Sequence, residues 1–382
     1  MSAIAEKYPN YSPGLEGIVA GISTISEINS DNSSLEYRGY NVHDLAEQGS
    51  FEQTAYLLLH DKLPTSQELK DFKQELASQR EVPEGVYTAL KAMPRNSHPM
   101  DMIRTAFSAL APHDPDYTAP ATDDAANLRK AIRIVAKAGT MVANGHRIRK
   151  GQDPIKPNPE HGTAESFLYL MGGEQPKPKT VQVMDASLTL YAEHGFNAST
   201  FACRVTVATL SDLYSGIVSG IGTLRGPLHG GANEEAMKMI LQIGTVDKAQ
   251  AWIDNALDTK AKIMGFGHRE YKKADPRAQY MTKVAKELGR EAGNTLYGDI
   301  ADILERTMLE KKNIHPNVDF PAAYAYYLLG IPVDLYTPIF VVSRVSGWSA
   351  HAIEQLRNNR LIRPTAIYEG GQGLAYVPED RR

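Results

Sequence analysis

Residues 199–226 read STFACRVTVATLSDLYSGIVSGIGTLRG. The stretch is apolar enough to invite a membrane reading, but Arg204 and Asp212 interrupt it, and no uncharged apolar run in the chain reaches about 18 residues. Its distinguishing feature is the row of small residues Ser215, Gly216, Ser219, Gly220 and Gly222. Such a row lets one helix approach another closely, within a chain or between subunits. The alternative is a set of flexible glycine loops, since glycine weakens a helix. Just upstream, Val181, Met184, Leu188 and Tyr191 fall at helical spacing, so the region reads as packed helices.

The same periodicity extends outward in both directions. Leu69, Phe72 and Leu76 share one helical face, and Leu128, Ile132, Val135 and Val142 repeat the pattern. Ser50 with Gln53, and Thr65 with Glu68, fit capping boxes at helix starts. Residues 151–159, GQDPIKPNP, hold three prolines and can only connect helices. Residues 330–356, GIPVDLYTPIFVVSRVSGWSAHAIEQL, read as buried helix, and RLIRPTAIYEG at 360–370 ends the helical fold before a polar tail. Alternation appears only at Thr24 to Ile28 and Leu35 to Tyr37, around Ser30-Asp31-Asn32-Ser33, which predicts a small β-hairpin. The class is mostly α, without internal repeats.

At 382 residues the chain is long enough for one large domain with a smaller companion, or for two domains. Hydrophobic content of 42% and charged content of 23% are those of a soluble globular protein, and a net charge of -4 offers no overall attraction to nucleic acid. The only cysteine is Cys203, which excludes an intrachain disulfide and a cysteine-based zinc site. A reducing cytoplasm fits that usage. The opening MSAIAEKYPNYSPG lacks a basic and then apolar leader, so neither export nor a membrane role is expected.

Several familiar sites are absent. There is no GxxxxGK[ST], and GIGTLRG at 220–226 has the wrong spacing for a dinucleotide fingerprint. No HExxH or G-x-S-x-G occurs, and no ligand cluster for a metal is visible among the eleven histidines. What remains is histidine beside glycine. His229 lies in GPLHGGANE and His268 in GFGHREYKKADPR, where the backbone bends and a ligand can approach the main chain. A lone histidine is more often a satisfied structural residue. Two in such settings point to a site.

Lys260, Lys262, Arg269, Lys272, Lys273 and Arg277 stand against only Glu270 and Asp275, a local +4 inside an acidic chain. A run of charge is usually a solvated helix face. Here it flanks Gly265-Phe266-Gly267, whose accessible N–H groups suit a polyphosphate or a carboxylate. Asp319, in HPNVDF just ahead of the apolar FPAAYAYYLLG, reads either as a helix N-cap or as a base with its pKa raised at the mouth of an apolar cleft.

In that order, GPLHGGANE, GFGHREYKKADPR and HPNVDF resemble citrate synthase, and GLEGIVAGIS with LEYRGYNVHDLAEQGSFEQTAYLLL resembles the N-terminal part of its shorter bacterial and archaeal form. The resemblance runs from about Gly14 to Gly371. One departure is Glu270, where the family more usually carries an aliphatic residue. The implied fold is a mostly helical homodimer with a small N-terminal β-hairpin. Its large domain would span 1–230 and 331–382, and a small domain at 231–330 would close over the substrates.

The implied reaction condenses acetyl-CoA with oxaloacetate and hydrolyses the citryl thioester to citrate and CoA, with no permanently bound cofactor. By motif match, His229 hydrogen-bonds the thioester carbonyl, Asp319 removes a methyl proton and His268 polarises the oxaloacetate carbonyl. Arg277, Arg344 of VVSRVSG, Arg363 of IRPT and His194 of YAEHGFNAS bind the dicarboxylate, with Arg363 reaching the partner subunit's site. Gly265, Phe266 and Gly267 would receive CoA, with Lys262 and Lys272 near its phosphates. The remaining histidines (His43, His60, His98, His113, His146, His161, His315 and His351) are read as structural or surface residues. Two other readings stand beside this one: 2-methylcitrate synthase, acting on propionyl-CoA with the same residues, and a catalytically silent helical binding protein on the same fold.

Overall fold

The computed structural model describes residues 7, 8, 10–268, 270, 271 and 273–382. Its sheet is small and lies at the N-terminal end. Strands β1 (Ser26–Asn29) and β2 (Ser34–Tyr37) pair antiparallel with Ser26 opposite Tyr37 and Ile28 opposite Leu35. Asn29 Oδ1 accepts the N–H groups of Asp31 and Asn32, which closes the turn that the polar run announced. A two-residue strand, β3 (Tyr40–Asn41), adds to the far side. It is too short to show alternation, and the sequence reading lacked it.

Sixteen α-helices follow among the described residues. They are α1 (Val42–Gln48), α2 (Phe51–His60), α3 (Ser66–Ser78), α4 (Glu84–Lys91), α5 (Pro99–Leu110), α6 (Asp124–Arg149), α7 (Thr163–Gly172) and α8 (Pro178–Tyr191). The second half adds α9 (Ala198–Val207), α10 (Leu213–Leu224), α11 (Ala232–Ile243), α12 (Val246–Asp258), α13 (Pro276–Glu291), α14 (Leu296–Lys312), α15 (Asp319–Leu328) and α16 (Tyr336–Arg357). None is long and apolar enough to cross a membrane. Helix α16 is buried along most of its length and packs on α6, α9 and α10, while α11 to α15 pack largely on one another.

Local signals explain where these helices begin. Thr65 and Glu68 form the reciprocal capping box, whereas at α2 only the Ser50 half of the pattern is made, its hydroxyl accepting from Gln53 N. The proline-rich 151–159 segment is irregular, as its composition demands. The small-residue row lies inside α10, so the glycine-loop alternative is overturned. A Cβ on Gly216 would come 2.7 Å from Val207 Cγ1, and one on Gly220 3.0 Å from the Trp348 indole. These glycines are there because α9 and α16 lie too close for a side chain.

Gly347 on α16 is tighter still. A Cβ there would sit 2.4 Å from both Ala192 O and Glu193 Oε2, a backbone carbonyl and a buried carboxylate with little room to retreat. Gly347→Ala is expected to lower the unfolding free energy by about 1–3 kcal/mol, the usual range for overpacking, seen as a lower urea midpoint at unchanged slope.

Candidate active site

The motifs around 265–277 and 315–319 are one stitched block. Asp275 caps α13, and its carboxylate does three things at once. Oδ1 accepts from Arg277 N at 3.0 Å, the two oxygens take Arg277 Nε and Nη2 at 3.0 and 2.9 Å, and Oδ2 also accepts Val318 N at 3.0 Å. Both residues are almost fully buried. The sequence reading gave Arg277 a site role and counted Asp275 only as an acid in the charge run, although Asp-Pro ahead of a helix is a capping signal.

The glycine loop is tied to the same block. Gly267 N donates to His315 O, Asn317 N to Gly265 O and Asn317 Nδ2 to Gly267 O, each at 2.9 Å. Gly265 and Gly267 have φ near +80°, and a Cβ on Gly265 would strike Phe320 Cβ at 2.8 Å, so both the backbone shape and the close approach require glycine at 265. The N–H and C=O of Phe266 take no part in this bridge, and no backbone partner is present for them among the described residues.

Hydrogen bonding fixes the tautomers of two histidines. His268 Nδ1 accepts the Glu270 N–H at 3.1 Å, which leaves the proton on Nε2. The side chain of Glu270, the unusual residue here, is exposed, and only its backbone touches the histidine. His229 Nε2 faces the backbone N–H of Ser199 at 3.3 Å and its hydroxyl at 2.8 Å. The backbone N–H makes Nε2 the acceptor, so Nδ1 carries the proton; the hydroxyl accepts from Trp348 Nε1 and turns its one hydrogen to Nε2. Burial, with Arg344 nearby, pushes the His229 pKa down to about 4; burial and the Arg277 charge do the same for His268. Both are neutral hydrogen-bond donors at neutral pH.

Asp319 is the first residue of α15, and the capping position is Val318, so the N-cap reading gives way. Its N–H is held by Asn317 Oδ1 at 3.1 Å, and its Oδ1 accepts from the Tyr191 hydroxyl at 2.8 Å. The residue is half-buried, but its carboxyl lies deep enough for desolvation to raise the pKa to about 6, the tyrosine bond and Arg277 opposing. Tyr191 was missed by the sequence reading, where it counted only as core periodicity.

Arg344, in the middle of α16, is fully buried. Its Nε donates to Tyr191 O at 2.7 Å, and its guanidinium lies 4.5 Å over the Phe340 ring. Burial lowers its pKa to about 10. Arg277 Nη1 and both Nη atoms of Arg344 have no hydrogen-bond partner among the described residues, which leaves donors for an anion. His194 bonds the Tyr271 hydroxyl through Nε2 at 3.0 Å, and its ring stands 4.9 Å from that of His268. Desolvation, then Arg277 and His268, keep it neutral. His351 fits its structural reading, bridging Arg204 and the buried Glu193.

The structure therefore gathers Asp319, His194, His268, Arg277 and Arg344 around one centre, with His229 within reach of the Arg344 charge. It does not bring Arg363 there: that residue is exposed on the extended stretch after α16. Lys262 is exposed beside the loop, and Lys272 lies outside the described residues. Among the described residues no set of three or more His, Cys, Asp or Glu side chains converges to hold a metal ion.

If Asp319 is a base, activity must rise as it ionises. The acid limb of kcat/KM is expected near pH 6, set by Asp319, because the two histidines are already neutral well below that. In Tyr191→Phe the hydrogen bond that favours the carboxylate is lost, so the limb should move to higher pH; a limb that stays in place would remove Tyr191 from the role of positioning the base.

A family model described as "Citrate synthase, C-terminal domain" matches residues 14–365. Citrate synthase 2 of Bacillus subtilis is 48% identical over 370 residues, covering 97% of this chain and 98% of that protein. The 2-methylcitrate synthase 2 of Corynebacterium glutamicum is 43% identical, covering 97% of both. The solved ternary complex of citrate synthase from Thermoplasma acidophilum with carboxymethyl coenzyme A and oxaloacetate superposes with a TM-score of 0.90 at 34% identity, over 97% of this chain and 99% of that one.

Proposed function

The chain belongs to the citrate synthase family and is an acyltransferase of that kind; on that premise we propose that it condenses acetyl-CoA with oxaloacetate to give citrate and CoA. The observation that carries this reading is the meeting of a desolvated carboxylate, Asp319, with two neutral histidines whose N–H groups are free to donate.

A proton beside a thioester carbonyl is a very weak acid, so a carboxylate removes it only if the oxygen is stabilised as charge develops. His229 Nδ1–H donates to that oxygen while Asp319 takes the methyl proton. The enol carbon then attacks the ketone carbon of oxaloacetate, whose oxygen receives the hydrogen bond of His268 Nε2–H. Arg277 and Arg344, with His194, hold the dicarboxylate. Water then cleaves the citryl thioester. Phe266, with its backbone groups turned out of the loop bridge, suits the adenine of CoA, and Lys262 suits a phosphate.

The assignment extends to assembly. A division into a large domain (1–230 and 331–382) and a small one (231–330) agrees with the way α11 to α15 pack on one another. Exposed apolar side chains at Val19, Ile22, Leu228, Leu374 and Tyr376 support a homodimer in which both chain ends cover the partner and Arg363 reaches its site. The buried, unpaired Cys203 accords with a cytoplasmic protein of the tricarboxylic acid cycle.

Free-thiol release tests the reading. Oxaloacetate-dependent release with higher kcat/KM for acetyl-CoA than for propionyl-CoA is expected. The reverse preference assigns 2-methylcitrate synthase, in line with the 43% identical Corynebacterium relative, because one methylene is worth only about 1–3 kcal/mol of discrimination. No release with either thioester would leave a silent binding protein. Arg344→Lys should raise the KM for oxaloacetate well above its effect on the KM for the thioester, since lysine keeps the charge but loses the planar fork. Equal effects on both would remove Arg344 from the dicarboxylate site.

A further inference from the structure

Away from the catalytic residues, a cavity of about 440 Å³ opens between the first turns of α3, with Arg80 beyond its end, and the segment that leads into α7. Lys70, Lys73, Gln74, Arg80, Glu160 and His161 are among its lining. Arg80 is only 3% exposed, yet it makes no ion pair within 4 Å among the described residues, and its sole side-chain hydrogen bond runs from Nη1 to His161 O. Its nearest carboxylates are engaged elsewhere: Glu52 accepts Thr163 N at 2.6 Å, and Glu165 accepts Gln175 Nε2 at 2.6 Å. Nε and Nη2 of Arg80 are left without acceptors. Both atoms keep contact with solvent space and the residue lines the cavity, so an anion entering it meets an open fork.

His161 repeats the pattern. Asn158 Oδ1 accepts Glu160 N at 3.0 Å, which turns the amide Nδ2 toward His161 Nε2 at 3.1 Å. Nε2 is then the acceptor and the hydrogen lies on Nδ1, which is buried without a partner. Lys70 and Lys73 are exposed at the same cavity and form no ion pairs among the described residues. The one carboxylate in the lining, Glu160, is exposed. Donors without acceptors thus outnumber acceptors in a cavity large enough for a small molecule.

From this we propose that the cavity is a second ligand site, for a compact polyanion of two or three charges: a phosphate ester or a polycarboxylate. The Arg80 fork takes two of its oxygens and the two lysines neutralise the outer charge. None of these residues belongs to the catalytic set. The site stands on its own geometry, whichever thioester the enzyme uses.

Titration calorimetry of the full chain tests it, with inorganic pyrophosphate in one arm and tricarballylate in the other, each repeated with Arg344→Lys so that binding at the dicarboxylate-holding arginines is told apart. One site per chain is expected, and Lys70→Glu/Lys73→Glu should weaken it at least tenfold while leaving kcat without added anion unchanged. Both lysines are exposed, so that variant keeps the fold; Arg80→Gln should abolish the same binding. Tighter pyrophosphate identifies a phosphate ligand and tighter tricarballylate a carboxylate one. No heat with either anion, or heat that the lysine reversals leave unchanged, overturns the proposal.

Discussion

Asp319→Asn is expected to lower kcat by at least about 10²–10⁴-fold, the span a general base contributes, while the affinity for oxaloacetate changes little. The substitution is nearly isosteric. An asparagine Oδ1 still accepts from the Tyr191 hydroxyl, and the backbone N–H stays on Asn317 Oδ1, so the helix start should keep its place. What disappears is the lone pair that takes the proton. Arg277 and Arg344 are untouched, so the dicarboxylate keeps its anchors. Stopped-time assays of thiol release, paired with calorimetric titration of oxaloacetate, separate the two quantities. A mutant retaining more than a few per cent of the wild-type rate would refute Asp319 as the base.

His229→Ala should cost about 10²–10³-fold in kcat, the scale of one donor removed from a developing oxyanion. The reason lies in its fixed tautomer. Ser199 N–H occupies Nε2, so the imidazole presents only Nδ1–H, and at a pKa of about 4 it does so uncharged across the physiological range. The rate of the mutant should therefore be lower at every pH from 6 to 9 by the same factor, with the acid limb still set by Asp319 near 6. If the deficit instead varied with pH, His229 would be exchanging a proton rather than donating a fixed hydrogen bond. The thioester KM should change less than kcat, because the bond strengthens as the carbonyl becomes an enolate.

The helical class and the three motifs were legible because they rest on local rules: 3.6-residue periodicity, capping residues, prolines, and histidines set among glycines. The hairpin showed as alternation for the same reason. What stayed hidden are contacts between residues far apart in sequence. Tyr191 looked like one more apolar position of α8, and nothing local says that its hydroxyl meets Asp319, 128 residues on. Asp275 was legible as a cap but not as the residue that fixes Arg277 and Val318 together. Asp319 itself offered two readings from spacing, and only its place as the first residue of α15 removes the capping one. The small-residue row of α10 showed its purpose once Trp348, on a helix more than a hundred residues later, was seen against Gly220.

The stitching of the 265–277 and 315–319 segments has a kinetic meaning. His268, Arg277 and Asp319 ride on a single rigid unit, whereas His229, His194 and Arg344 are carried by α8 to α10 and α16, joined to that unit near the site by the bonds Tyr191–Asp319 and His194–Tyr271. The spacing between Asp319 and His268 is set within one hydrogen-bonded block, and His229 stands outside it. On the proposed function, a dicarboxylate held by Arg277 on one side and Arg344 on the other would act as a fastener across that seam. On that function, the four-carbon acid arriving first would complete the reaction chamber, and a thioester that entered beforehand would be spared wasteful hydrolysis.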